Sequence, residues 1–102
     1  MIDPSRFAAR ATEVAALLEL LASQPRLMIL CRLAEAGELG VGVLGASAGL
    51  SQSALSQHLA RLRAEGLVAP RREGQRIYYR ITDPRLLSLM GTLHQLYCED
   101  SE

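Results

Sequence analysis

Ser51-Gln52-Ser53-Ala54-Leu55-Ser56-Gln57-His58-Leu59-Ala60-Arg61-Leu62-Arg63-Ala64-Glu65-Gly66 reads as one helix with two unlike sides. At about 100° per residue, Leu55, Leu59 and Leu62 fall in a narrow stripe with His58 at its edge, and such a stripe needs a core to cover it. The opposite side carries Ser53, Gln57, Ala60 and Ala64, flanked by Ser56 and Arg61. Solvated helices are usually built from Glu, Lys and Arg in helix-supporting pairs. A side of hydroxyls, amides and methyl groups is instead what a DNA major groove requires: short side chains let the helix approach, and polar ones meet base edges and phosphates. Ser51 stands where an N-cap belongs and Gly66 where a C-terminal stop belongs. On this segment alone, a surface helix that is merely rich in Ser and Gln competes with the DNA-facing reading.

The residues that follow add a hairpin. Leu67-Val68-Ala69-Pro70-Arg71-Arg72 has the composition of a short strand and Glu73-Gly74-Gln75 that of a turn. Arg76-Ile77-Tyr78-Tyr79-Arg80-Ile81 reads as a second strand alternating Ile77, Tyr79 and Ile81 with Arg76, Tyr78 and Arg80. A helix followed by a basic hairpin is the order of a winged helix-turn-helix. From Leu50 to Ile81 the chain resembles the ArsR/SmtB family of bacterial repressors: Ser56, His58-Leu59, Leu62, Gly66-Leu67-Val68 and a basic wing ending in Tyr78-Tyr79 stand in that family's order and spacing. The resemblance implies a mainly α fold with a small β-hairpin, four helices before the hairpin and one after it, and a protein that represses transcription by binding DNA.

A chain of 102 residues, 49% of them hydrophobic, can bury one core of modest size, so residues 1–102 are expected to form a single domain. No apolar run approaches the roughly 20 residues of a membrane span, and the start has no charged-then-apolar secretory pattern, so a cytoplasmic location without membrane attachment is expected. Net charge is zero but unevenly spread: between Arg61 and Arg85 seven arginines face three acids. A basic segment that coincides with the proposed recognition helix and wing is the electrostatic footprint expected of phosphate contacts.

Asp3-Pro4 is a helix start, and Phe7, Ala11, Val14, Leu17, Leu18 and Leu21 recur at helical spacing, predicting one helix up to about Ala22. Ser23 or Gln24 can cap a second helix entered at Pro25, with Leu27, Leu30, Cys31 and Ala34 along one side and Gly37 at its end. A short helix over about Val41 to Ala48 contains Gly42 and Gly45, and must be held by packing rather than propensity. Gly49-Leu50 then turns the chain into the recognition helix. After the wing, Asp83-Pro84 repeats the start signal, and Leu86, Leu89, Met90, Leu93, Leu96 and Tyr97 form a stripe. So small a domain has little core left to cover that stripe, and a second copy of the same helix would do so, predicting a homodimer. In the resembling family the dimer is made by the first and last helices.

Metal-sensing members of that family carry two cysteines in the segment corresponding to Glu38–Leu44; here those positions are Gly40 and Gly42. A second metal pattern of the family begins Asp-x-His on the last helix, whereas this chain has Asp83-Pro84-Arg85. No metal site or cofactor is therefore expected.

The chain has two cysteines, Cys31 and Cys98. On an apolar helical face Cys31 reads as a small hydrophobe. Cys98 lies near the chain end before Glu99, Asp100 and Glu102, acids that would raise a thiol's pKa. Spacing alone cannot show whether the two sulfurs meet. Ile29-Leu30-Cys31 and Leu96-Tyr97-Cys98, however, resemble the thiol- and persulfide-sensing branch of the family. That resemblance implies that Cys31 and Cys98 are sensing thiols, joined by a disulfide or polysulfide bridge when reactive sulfur species or another oxidant acts as inducer. His94 is four residues from Cys98 and could tune it or join a metal; a dimer-interface or solvent role competes. No arrangement of nucleophile, base and carboxylates suggests an enzyme.

The expectation is thus a homodimeric repressor that recognises an inverted-repeat operator in double-stranded DNA. Gln52, Ser53, Ser56 and Gln57 would lie at bases or nearby phosphates, His58 at the core edge or at a phosphate, Arg61, Arg71, Arg72 and Arg76 would hold the backbone, and Gln75 would sit at the wing tip. Two alternatives are a metal-responsive repressor with a non-standard site at Cys31, Cys98 and His94, and a winged helix that only binds protein.

Overall fold

The computed structural model describes residues 2–98. Asp3 caps α1 (Pro4–Ala8) by accepting from the backbone N–H groups of Ser5 and Arg6 at 3.1 and 3.4 Å. The single first helix expected to run to Ala22 is in fact two. After α1 the Arg10 N–H donates to the Phe7 carbonyl at 2.9 Å, a tightened turn, and Arg10 becomes the N-cap of α2 (Ala11–Leu21). Because α1 buries none of its residues, no packing holds it in line with α2. The buried residues of α2 are Leu20 and Leu21, whereas Phe7 and Leu18 of the same apolar run are more than half exposed.

Ser23 then caps α3 (Gln24–Ala36), accepting from the Arg26 N–H at 3.3 Å, and the chain bends by 97° between α2 and α3. The deeply buried side of α3 is Arg26, Ile29, Leu30 and Leu33; Leu27, Cys31 and Ala34 are half-buried at its margin. Among the described residues no helix is long and apolar enough to cross a membrane.

The sequence also hid a strand. Leu39–Gly40 forms β1, antiparallel to β3 (Arg76–Ile81), with Leu39 opposite Tyr79 and Gly40 opposite Tyr78. With β2 (Val68–Glu73) the sheet has the order β1-β3-β2. A lone two-stranded hairpin is marginal in water, and β1 covers the edge of β3 that β2 leaves open. Pro70 is tolerated because β2 is an edge strand. Glu73 pairs with Arg76 around a two-residue loop in which Gly74 has φ +62° and Gln75 a negative φ, the backbone signature of a type II′ turn.

Helix α4 (Val41–Ala48) ends at Gly49 in the left-handed conformation, and Ser51 caps α5 (Gln52–Ala64) by accepting from the Ala54 N–H at 3.1 Å. Gly45 lets these helices approach: a Cβ there would sit 3.3 Å from Leu55 Cδ2. Asp83 accepts the Arg85 N–H at 2.9 Å at the start of α6 (Pro84–Cys98). Ile29, Leu30, Leu33, Leu44, Leu55, Leu62 and Leu86 are fully buried, so α3, α4, α5 and α6 share one core beneath the sheet.

Candidate nucleic-acid interface

Helix α5 turns Leu55, Leu59 and Leu62 into the core, as its pattern predicted, and leaves Gln52, Ser53, Ser56, Gln57, Ala60 and Arg61 exposed. The outward side is therefore anchored by three buried leucines, while carrying only Ser, Gln and Ala side chains until Arg61 in the last turn. Arg61 and Arg63 occupy the last turn, where cations also favour the helix dipole. The sequence reading left Arg63 out of the site. It lies seven residues beyond Ser56 and lines, with Ser56, Ala60, Val41, Ile77 and Tyr79, a cleft of about 580 Å³ between α5 and the sheet.

The wing supplies further cations. Arg72, Gln75 and Arg76 are exposed around the hairpin tip. Among the described residues Arg61, Arg63, Arg72 and Arg76 form no ion pair, so their charges face solvent uncompensated. Arg71 differs: its guanidinium is paired with Glu38 and Glu73 at 2.8 and 3.1 Å. Hydrogen bonding to Arg71 is also what chiefly holds the Glu38 carboxyl below the usual range.

His58 sits at the edge of the buried stripe and is half-buried. Burial, then the positive charges of Arg26 and Arg61, push its pKa down. Arg26 is 8% exposed and went unnoticed in the sequence. Its Nε donates to the Leu20 carbonyl at 2.6 Å, satisfying a backbone acceptor in the last turn of α2, and its Nη1 is 3.4 Å from His58 Nδ1.

Cys31 and Cys98 are both free thiols, the first half-buried on α3 and the second exposed at the end of α6. Helices α3 and α6 pack against each other. The acids that follow Cys98, expected to raise its pKa, lie outside the described residues. Among the described residues no three His, Cys, Asp or Glu side chains come together as metal ligands, so Cys31, His94 and Cys98 do not form a group.

A capped helix with a buried leucine stripe and a bare polar side, followed by a hairpin bearing arginines without ion pairs among the described residues and a final helix exposed at its end, is the architecture of a winged helix-turn-helix. Residues 23–69 match the family model described as bacterial regulatory protein, arsR family. The transcriptional activator HlyU of Vibrio cholerae is 45% identical over 84% of this chain and 79% of its own length. A structure of that protein in its reduced form superposes with a TM-score of 0.86 at 41% identity, covering 92% of this chain and 98% of that one. The crystal structure of the transcriptional repressor BigR from Xylella fastidiosa gives a TM-score of 0.89 at 37% identity over 97% of this chain and 100% of that one. The homodimeric winged helix-turn-helix DNA-binding domain Mb0332 of Mycobacterium bovis gives 0.76 at 35% identity, over 89% and 83%. The chain belongs to the arsR family of bacterial regulatory proteins.

Proposed function

We propose that this chain is a cytoplasmic, homodimeric repressor that binds an inverted-repeat operator and is switched by bridging Cys31 to Cys98. The observation that carries the DNA-binding part is the exposed, short-chained polar side of α5 beside arginines that form no ion pair among the described residues. Gln52, Ser53, Ser56 and Gln57 meet base edges or adjacent phosphates, His58 orients the helix from its inner edge, and Arg61, Arg72 and Arg76 hold the backbone with Gln75 at the tip.

The dimer is supported by apolar side chains left uncovered on the first and last helices. Leu86 and Met90 begin the stripe of α6 in the core, but Leu96 and Tyr97 at its end are 70% and 80% exposed. Phe7 and Leu18 are exposed too, so a second copy laid along α1, α2 and α6 would bury them together. The switch is supported by two free thiols on helices that pack together. An oxidant that takes two electrons and the two thiol protons from Cys31 and Cys98 leaves a disulfide; a persulfide that transfers its sulfane sulfur to each thiol, departing as a thiol, leaves two protein persulfides that close to a trisulfide with loss of hydrogen sulfide. Either bridge ties α6 to the core and changes DNA affinity.

Selection of duplexes from a random-sequence pool tests the reading. The expected product is an inverted repeat with half-sites about one or two helical turns apart. A protein that enriches no sequence contradicts it.

A further inference from the structure

Arg71 and Arg72 are consecutive, and the two-residue repeat of a strand sends them to opposite faces of the sheet. Register assigns the faces. Arg72 lies opposite Ile77, and Ile77 and Tyr79 face the cleft beside α5; Arg71 lies opposite Tyr78. There its guanidinium stacks over the Tyr78 ring, 4.8 Å from the centroid. Its Nη2 and Nε donate to the two carboxylate oxygens of Glu38 at 2.8 and 3.0 Å, a planar fork on a planar fork, and Nη1 donates to Glu73 at 3.1 Å.

Each guanidinium nitrogen of Arg71 is thus committed within the protein. Glu38 directly precedes β1, on the far side of β3 from β2. One side chain therefore crosses the sheet from the wing strand, over Tyr78, to the segment joining α3 to α4. We propose that Arg71, Tyr78 and Glu38 form a clamp that fixes the attitude of the wing to α5, so that Arg71 positions the wing while Arg72 and Arg76 make its phosphate contacts.

The functional half of this inference rests on the DNA-binding reading; the structural half does not. It carries an unusual sign. Charge alone says that removing an acid near a polyanion strengthens binding, and a phosphate-binding Arg71 restrained by Glu38 says the same. A clamp says the opposite. It also says that lysine cannot stand in for Arg71, since an ammonium keeps the charge but neither the fork nor the stacking plane.

The experiment measures binding of the full chain to a labelled random-sequence duplex by fluorescence anisotropy, together with hydrogen exchange of the wing amides in the absence of DNA. Glu38→Gln and Arg71→Lys are each expected to bind about fivefold more weakly, the upper range for one partly exposed ion pair, and to exchange faster in the wing. Arg76→Ala is expected to bind more weakly with wing exchange as in the wild type. Tighter binding by Glu38→Gln, or wild-type affinity and exchange in Arg71→Lys, overturns the clamp. If the wild type binds no duplex, the DNA reading fails; exchange in the two clamp variants still decides the clamp, and rates equal to the wild type overturn it.

Discussion

Arg26 on α3 reaches His58 on α5, 3.4 Å from Nη1 to Nδ1, and a guanidinium can only donate, so His58 must accept. The contact thus favours the neutral imidazole, the same direction as its lowered pKa. Above the ordinary histidine value of 6.5 neither folded nor unfolded chain carries a proton there. As pH falls below it the unfolded chain takes one up first, and stability declines through the folded-state pKa. Urea midpoints measured from pH 8 to 5 are expected to fall more in the wild type than in His58→Gln; equal slopes count against the neutral, Arg26-facing imidazole.

The same arginine closes the end of α2. Arg26→Met keeps the buried stem and removes the donor, leaving the Leu20 carbonyl without its 2.6 Å partner. A loss of about 1–3 kcal/mol in unfolding free energy is expected, the usual effect of orphaning a buried acceptor. Wild-type stability by urea denaturation would mean that the carbonyl finds another donor.

Helix α6 should separate association from folding. Leu96→Glu and Tyr97→Glu alter side chains that are 70% and 80% exposed in the protomer, so secondary structure should be kept while sedimentation shifts from dimer to monomer. A dimer that survives both changes places the interface elsewhere.

For the thiols, treatment with a persulfide donor is expected to link the Cys31 and Cys98 peptides, as read by mass spectrometry, and to change affinity for a selected operator. Cys31→Ser and Cys98→Ser should each abolish that change while leaving reduced-state binding intact. Unlinked peptides, or an affinity that does not respond, remove the switch and leave DNA binding standing.

Much of this molecule could be read from residue order because the signals were local. Ser51, Asp3 and Asp83 accept backbone N–H groups where their type predicted, and the leucines of α5 are buried at the spacing that named them. The break at Ala9 and Arg10 was invisible: helical spacing runs unbroken from Phe7 to Val14, no Gly or Pro interrupts it, and only the lack of packing under α1 lets it part. A two-residue strand such as Leu39–Gly40 exists through its partner, which lies about 40 residues on, and no local pattern announces it. Arg26, in the first turn of α3, drew no notice, since nothing in the neighbouring sequence marks the Leu20 carbonyl as its acceptor. Arg71 and Arg72 were both assigned to the DNA backbone as part of the basic hairpin, although strand alternation already required them to face apart.

The most direct measurement compares affinity for a selected operator with affinity for a random duplex, in Gln57→Ala and in Arg76→Ala. Gln57→Ala should lose about tenfold or more of the ratio, since an amide reading a base edge discriminates by about 1–3 kcal/mol. Arg76→Ala should weaken both duplexes alike and reduce the slope of log K against log salt by about 1. If both variants lower both affinities by the same factor, or Gln57→Ala leaves the ratio untouched, the polar side of α5 does not read DNA.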